Sequence, residues 1–403
     1  MSDFVPQLRD GIIEFPVHHV RGGTSTGLIL YEPFLPYDPI LREELLRHLM
    51  GVPLSGSILH NTQTTGLGRG HATSNKVFLA DVEAEADGTP RIVSTLAQLA
   101  SDHGEIDWSV NCGNMSSALP LWALDTGLVV TNDKGECNVV IRNTNTGVIS
   151  NGRMMREADS GRFAVAEIPG VDGAWPLVDL FLHHPVGAKT GRLLPTGRVV
   201  DNILGISVSC VDVAVPMVIV PAMALGKAAH ESVRELEADV ELTQKLRELW
   251  VAAGLLMGLK KRDGQLMTSA ELERSETIPK ICIVGAPQSG GNIAVRYFTP
   301  QKAHTSMAVS GGCCLAAAAM IPGSVAHGVA RRLPEVGARL QEFSVGIENP
   351  AGILDAKVVG RQSENGLVVE SVAYRRSTQI LLRGHVPLYR ASQALQRAME
   401  EAM

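Results

Sequence analysis

An α+β fold built from two similar halves is what this sequence predicts, on three observations. Strand-like segments outnumber helical ones. The two kinds do not alternate strictly, as a doubly wound sheet would require. And a small polar turn carrying cysteine opens a buried apolar helix twice. The first such turn is Asp107-Trp108-Ser109-Val110-Asn111-Cys112-Gly113-Asn114-Met115-Ser116-Ser117-Ala118, running into Leu119-Pro120-Leu121-Trp122-Ala123-Leu124. The second is Ser310-Gly311-Gly312-Cys313-Cys314, running into Leu315 to Ile321 and stopping at Pro322-Gly323. This repetition implies a duplicated architecture with one site between the halves.

Composition bounds the class. A chain of 403 residues is long enough for two domains with separate cores. Hydrophobic content of 45% with 19% charge reads as soluble and globular. Gly 40 and Pro 21 beside 4% aromatics imply many tight turns and cores of Val, Ile, Leu and Ala. A net charge of -6 and the lack of any basic run argue against a nucleic-acid partner. No apolar run reaches the ~18 to 20 residues of a membrane span. Ser2-Asp3-Phe4-Val5-Pro6 shows no signal pattern, and six cysteines in such a chain do not make a disulfide scaffold, so a reducing cytoplasm is expected.

Along the chain, β-branched segments bounded by Gly, Pro or Asn predict strands. They include Phe15 to Val20, Lys76 to Ala80, Cys137 to Arg142, Val208 to Val220, Ile281 to Val284, Val368 to Tyr374 and Gln379 to Leu382. Asp38 caps a helix that has Pro39 at its first position and ends at Gly51. One long amphipathic helix is expected from about Ala228 to Leu259, and a last one from about Ala391 to Ala402. The pattern breaks at Leu194-Pro195-Thr196-Gly197, which puts the domain junction near Gly191 to Asp201.

Several residues stand out for chemistry. Arg21-Gly22-Gly23-Thr24-Ser25-Thr26-Gly27 follows a strand and offers backbone N–H groups, hydroxyls and a counter-charge to an anion. It lacks the lysine of a nucleotide P-loop and the glycine spacing of a dinucleotide fingerprint, and a plain hairpin is the competing reading. Gly66 to Asn75 is a dense Gly/Ser/Thr run, with Arg69 and His71 in it, that adds nothing to a core and suits close approach to a ligand. It ends in Lys76 at the mouth of an apolar strand, where an ordinary surface lysine is the alternative. Cys112 sits among Asn111, Gly113 and Asn114, which supply donors without bulk; a buried structural thiol is the alternative. Cys313 and Cys314 are ambiguous between core and site, and His304 between loop and site. Cys137, Cys210 and Cys282 lie in apolar strands and read as core. No cysteine or histidine pair has metal-site spacing, and adjacent His18 and His19 point to opposite faces of a strand.

Taken in order, these motifs resemble the PrpF-type isomerases, which include 2-methylaconitate cis-trans isomerase, 3-methylitaconate isomerase and 4-oxalomesaconate tautomerase. The likeness runs from about Val20 to Pro387. Besides the segments above it includes Pro195-Thr196-Gly197, Pro279-Lys280-Ile281, His304, Ile321-Pro322-Gly323, Asn349-Pro350-Ala351-Gly352 and Tyr374-Arg375-Arg376-Ser377. The resemblance implies a diaminopimelate epimerase-like fold, two similar domains each wrapping a sheet around a central helix. The domains would be 1–195, completed by 385–403, and 196–384, with the active site in the cleft between them. It further implies a cofactor-free proton shift across an allylic system in an unsaturated di- or tricarboxylate, with no metal. Lys76 would be the general base and Cys112 its partner. Arg21, Gly22, Gly23, Thr24, Ser25, Asn111, Gly113, Asn114, Ser310, Gly311 and Gly312 would bind carboxylates, with His304 and Cys313 beside them.

A lysine whose ordinary pKa is ~10.4 needs burial or nearby dipoles to act near neutrality, while a polyanionic substrate pushes the other way. The chain departs from the family pattern at Glu348-Asn349-Pro350-Ala351-Gly352, where His-Pro-Ser/Ala-Gly is usual, and at Arg69 and His71. Phe343 to Gly352 and Leu67 to Asn75 are therefore expected to set substrate choice, with Arg69 favouring a third carboxylate. Two other readings stay open: a two-thiol epimerase or racemase using Cys112 and Cys313, and a non-catalytic carboxylate-binding protein. The expected partner is a small polycarboxylate, with no nucleic acid and no membrane, and homodimerisation left open.

Overall fold

Strand outweighs helix in the computed structural model, which describes residues 4–58, 61, 63–69, 75–157, 160–261, 263–275, 277–299 and 302–403, Ala402 by its backbone only. The main strands are β1 (Ile12–Gly22), β2 (Ser25–Tyr31), β3 (Asn75–Ala84), β4 (Pro90–Leu99), β5 (Glu136–Asn143), β6 (Ile149–Met155) and β7 (Trp175–His183). After them come β8 (Ile206–Val213), β9 (Val215–Pro221), β10 (Lys280–Gly285), β11 (Ile293–Thr299), β12 (Gln341–Asn349), β13 (Gly352–Ser363) and β14 (Gly366–Pro387). Among the described residues no helix is long and apolar enough to cross a membrane.

The chain forms two compact units, one of Met1–Glu167, Gly173–Leu180 and Arg376–Met403, the other of Ile168–Asp172 and Phe181–Arg375. The second unit thus takes over at Phe181, before the junction expected near Gly191 to Asp201, and β14 returns to the first unit at Arg376, before residue 385. The Pro195-Thr196-Gly197 break is instead a loop inside the second unit. Thr196 Oγ1 and Arg198 Nε each donate to Asp201 at 2.7 Å, and the N–H groups of Lys189 and Thr190 donate to buried Asp212.

In the first unit the pairings run antiparallel for β1–β2, parallel for β2–β3, antiparallel for β3–β4, parallel for β4–β5 and antiparallel for β5–β6. Alternate residues of each strand face one side. Phe15, Val17, Leu28, Leu30, Val77, Leu79, Ala97 and Leu99 pack there against Leu45, Leu46 and Leu49 of α1 (Pro39–Met50) and against Leu395 and Met399 of the C-terminal helix Gln393–Ala402. Asp38 caps α1 through Ile40 N–H, and Gly51 closes it in the left-handed region at φ 68°. The opposite face carries α2 (Gly113–Ser116) and α3 (Leu119–Asp125). A methyl group on Gly152 of β6 would strike Pro120, and Trp122 lies 6.4 Å from the ring of Tyr31.

The second unit repeats the same succession. β8–β9 is antiparallel, β9–β10 parallel, β10–β11 antiparallel, β11–β12 parallel and β12–β13 antiparallel. One face packs Val208, Val220, Ile281, Ile283 and Phe298 against helices α4 (Val233–Ala238), α5 (Val240–Leu256) and α6 (Ser269–Arg274). The other face carries α7 (Val309–Ala319), buried from Gly311 onward. Each unit is therefore a sheet wrapped on a central helix, the diaminopimelate epimerase-like arrangement.

Three local readings change. The expected long helix from Ala228 to Leu259 is α4 and α5, because Ser232 and Asp239 each cap a new helix start. The expected strand Val208 to Val220 is the hairpin β8–β9, turning at Ala214 with φ 62°. Val368 to Tyr374 and Gln379 to Leu382 are parts of one strand, β14.

Candidate active site

β1 and β2 meet in the turn Gly22–Ser25, and the packing of that turn explains its glycines. A methyl group on Gly22 would strike the Asn114 carbonyl, and one on Gly23 (φ 54°) would come to 2.5 Å from Asn114 Oδ1. The turn thus lies directly on the start of α2. Arg21 holds it from behind: Nη1 donates to the carbonyls of Gly23 (2.8 Å) and Ser377 (3.1 Å), and Nε to Gln379 Oε1 (2.8 Å). Its guanidinium lies 5.8 Å over the Trp175 ring, and burial lowers its pKa. Arg21 is thus built into the turn's support through Nη1 and Nε, while its buried Nη2 has no hydrogen-bond partner among the described residues.

Cys112 is the N-cap of α2, with extended backbone and no side-chain cap bond. Its own N–H donates to Asn111 Oδ1 (2.7 Å), its carbonyl accepts from Ser116 Oγ (3.0 Å), and its thiol lies 3.8 Å from Ser25 Oγ. The helix it opens is short, four residues before Ser117 and Ala118 lead into α3 at Leu119-Pro120. Asn114 is gripped at both ends of its amide: Nδ2 donates to Thr24 Oγ1 (3.2 Å), and Oδ1 accepts from Arg376 Nε (3.0 Å).

Lys76 is the second residue of β3, half-buried and paired across the ladder with Gln98 of β4. A methyl group on Gly27 would meet Lys76 Cβ at 3.1 Å and Met115 Cε at 2.9 Å. Lys76 therefore leaves the sheet on the face that carries α2. Ser25, which touches the Cys112 thiol, lies two residues from Gly27 on the same face of β2. Lys76 and Cys112 thus emerge on one face at one end of the first unit, around the Gly22–Ser25 turn.

The described part of the run before Lys76, residues 66–69 and Asn75, does pack, contrary to the expectation from composition. Leu67 and Gly68 N–H groups donate to the carbonyls of Leu49 and Met50, and a methyl group on Gly51 would strike Gly66. Arg69 is exposed; its N–H donates to Asn75 Oδ1 at 2.6 Å, and Asn75 Nδ2 donates back to its carbonyl. His19 nearby has its pKa lowered, by burial first and by the Arg69 charge second. Residues 70–74, with His71 and Thr73-Ser74, lie outside the described residues.

The remaining predicted residues belong to the second unit. α7 starts at Val309, so Ser310, Gly311 and Gly312 form its first helical turn where a preceding turn was expected. Gly311 makes room for Tyr297 and Gly312 for Leu354. The N-cap is Ala308, and Cys313 and Cys314 lie inside the helix at 0% exposure. Burial raises the Cys314 thiol well above its ordinary range. Cys313, the second thiol of the two-thiol reading, is therefore enclosed within α7, and the residue at the start of that helix is Ala308.

His304 is half-buried; its Nδ1 accepts from Ser306 N–H at 2.9 Å, and burial lowers its pKa, helped by the Lys280 charge. The neutral ring then carries its proton on Nε2. In the stretch expected to set substrate choice, Glu348 is an anchor. It accepts from the N–H groups of Gln288 (2.7 Å), Ser289 (2.5 Å) and Gly291 (2.9 Å). Burial raises its pKa, but these bonds and His230 outweigh that and leave it lowered. Asn349 Oδ1 accepts from Ser306 Oγ at 3.2 Å and from Ala351 N–H.

Two supports escaped the sequence reading. Asn145 donates to the carbonyls of Trp108 (2.7 Å) and Leu96 (2.9 Å) and accepts from Leu96 N–H (2.7 Å), pinning the segment that leads to Cys112. Arg376 had been seen only as part of a motif, with no role. Both act across long sequence separations, and no local pattern reveals them.

A family model described as PrpF protein matches residues 12–389. The (4E)-oxalomesaconate Delta-isomerase of Novosphingobium sp. (strain KA1) is 30% identical over 91% of this chain and 95% of its own length. The 4-oxalomesaconate tautomerase of Pseudomonas putida is 29% identical over 93% of this chain and 96% of its own. The crystal structure of methylitaconate-delta-isomerase superposes with a TM-score of 0.78 at 25% identity, covering 96% of this chain and 97% of that one. The chain belongs to the PrpF family of isomerases.

Proposed function

We propose that this protein is a cofactor-independent isomerase that moves a proton across an allylic system in an unsaturated di- or tricarboxylate. The observation that carries this is the emergence of Lys76 and Cys112 on one sheet face beside the Gly22–Ser25 turn. The relatives named for oxalomesaconate and methylitaconate support the acid class.

In this reading the neutral Lys76 amine takes a proton from the sp³ carbon next to the double bond. The C–H electron pair delocalises through the allylic system into the neighbouring carboxylate as a dienolate. Return of a proton to the far carbon, from the Lys76 ammonium or the Cys112 thiol, leaves the double bond displaced, whereas rotation within the dienolate and return to the original carbon leaves its geometry inverted. If Cys112 delivers it, the Lys76 ammonium reprotonates the thiolate and the site is restored. A dienolate survives only where donors are already aimed at its oxygens, and the hydroxyls and N–H groups of Thr24, Ser25 and the start of α2 would supply them.

Proton NMR in deuterated water tests this on a panel of aconitates, methylaconitates, itaconate-type acids and oxalomesaconate. Deuterium should enter an allylic carbon as the isomer appears, and Lys76→Ala should lower the rate by about 10²–10⁴, the span of a general base. An acid that raises the melting temperature but never exchanges hydrogen would support a binding role and overturn the enzyme reading.

A further inference from the structure

We infer that Arg376 is a positioning residue, which through Asn114 holds the Gly22–Ser25 turn on the start of α2 and so fixes Ser25 beside the Cys112 thiol. This rests on reading Cys112 as the acid/base partner of Lys76. Four contacts make the clamp. Arg376 Nε donates to Asn114 Oδ1 at 3.0 Å, and Asn114 Nδ2 donates to Thr24 Oγ1 at 3.2 Å. The Arg376 stem and Asn114 Oδ1 occupy the space that a side chain at Gly23 would need. Gly22 lies against the Asn114 backbone.

With its amide oxygen on Arg376 and its amide nitrogen on Thr24, the side chain is oriented by the protein at both ends, and its service is to register two segments. Those segments are the ones that meet at the thiol, since Ser25 follows Thr24 and Cys112 lies two residues before Asn114. Arg21 supports the same turn from the other side through the Gly23 carbonyl, so two guanidinium groups brace four residues.

The test measures Cys112 itself as well as turnover. Cys112 is half-buried while the other five cysteines are buried, so iodoacetamide followed by peptide mass spectrometry reads it selectively. Three variants are compared: Arg376→Met, which keeps the stem and loses the donor; Arg376→Lys, which keeps a donor; and Thr24→Val, at an exposed position that does not threaten folding. Arg376→Met and Thr24→Val should change the alkylation rate by about threefold or more, and Arg376→Met, which touches no reacting atom, should lower kcat about tenfold with KM nearly unchanged, since small misplacements are felt in the transition state. Arg376→Lys should recover most of both.

An unchanged alkylation rate in folded Thr24→Val and Arg376→Met would overturn the clamp. So would a raised KM with intact kcat, which would make Arg376 a substrate ligand. If no acid is turned over but alkylation responds as stated, the clamp stands and the isomerase reading fails.

Discussion

The two units share one topology and differ where chemistry would occur. The ladders align them residue by residue. In the first unit Leu99 pairs with both Asn75 and Ile106; in the second Phe298 pairs with both Ile281 and Ala303. One residue onward, Lys76 opposite Gln98 corresponds to Cys282 opposite Tyr297. At the central helices the N-caps are Cys112 and Ala308. One half thus presents a half-buried amine and thiol. The other has a thiol at 0% exposure, raised well above its ordinary range by burial, and an alanine. The two scaffolds are equivalent, and a difference at two positions leaves an accessible amine and thiol in one of them.

The sharpest way to break this comparison is to exchange functions between the halves. Lys76→Met should remove about 10³-fold of turnover. Cys112→Ala should lower it by about 10²-fold, and adding Ala308→Cys should not restore it, which isomer formation followed by NMR would show. Trp250 is 1% exposed in the core of the second unit and donates to the Leu272 carbonyl at 3.2 Å. Trp250→Ala should cost about 3–5 kcal/mol of that unit's stability in a urea titration, far more than any change at Lys76.

Glu348→Gln should cost about 1–3 kcal/mol, because three N–H groups lose a charged acceptor. The smallest effect concerns Asp125, at the end of α3. Burial alone would raise its carboxyl, but bonds from His18 and Arg383 outweigh that and bring it to about 2, below its ordinary value of 3.8. A depressed folded-state value contributes stability above pH ~4 that is lost as pH falls through ~2. Arg383 is largely exposed, so screening limits the contribution to about 1 kcal/mol. Asp125→Asn should therefore flatten the acid limb of a melting-temperature profile between those values.

Much of this was legible in the chain. Asp38, Pro39 and Gly51 bound α1 as read, and buried Cys137, Cys210 and Cys282 are core residues. Lys76 and Cys112 stood out because small polar residues surround them. Other features were hidden for physical reasons. Ser232 and Asp239 break one amphipathic pattern into two helices by capping, which periodicity does not report. The start of α7 moved upstream because Gly311 and Gly312 serve contacts with Tyr297 and Leu354 inside the helix. Arg376 and Asn145 act through bonds to distant segments, so their value appears only once the strands are paired.

The claim that chemistry resides in one half is tested most directly by deuterium exchange in a substrate acid, comparing Lys76→Met with Cys282→Ala. Lys76→Met should slow exchange about 10³-fold while its fold persists, and folded Cys282→Ala should exchange at the rate of the unmodified protein. Exchange that stays within about tenfold of the unmodified rate in Lys76→Met, or that vanishes with Cys282→Ala at unchanged folded fraction, would contradict the claim.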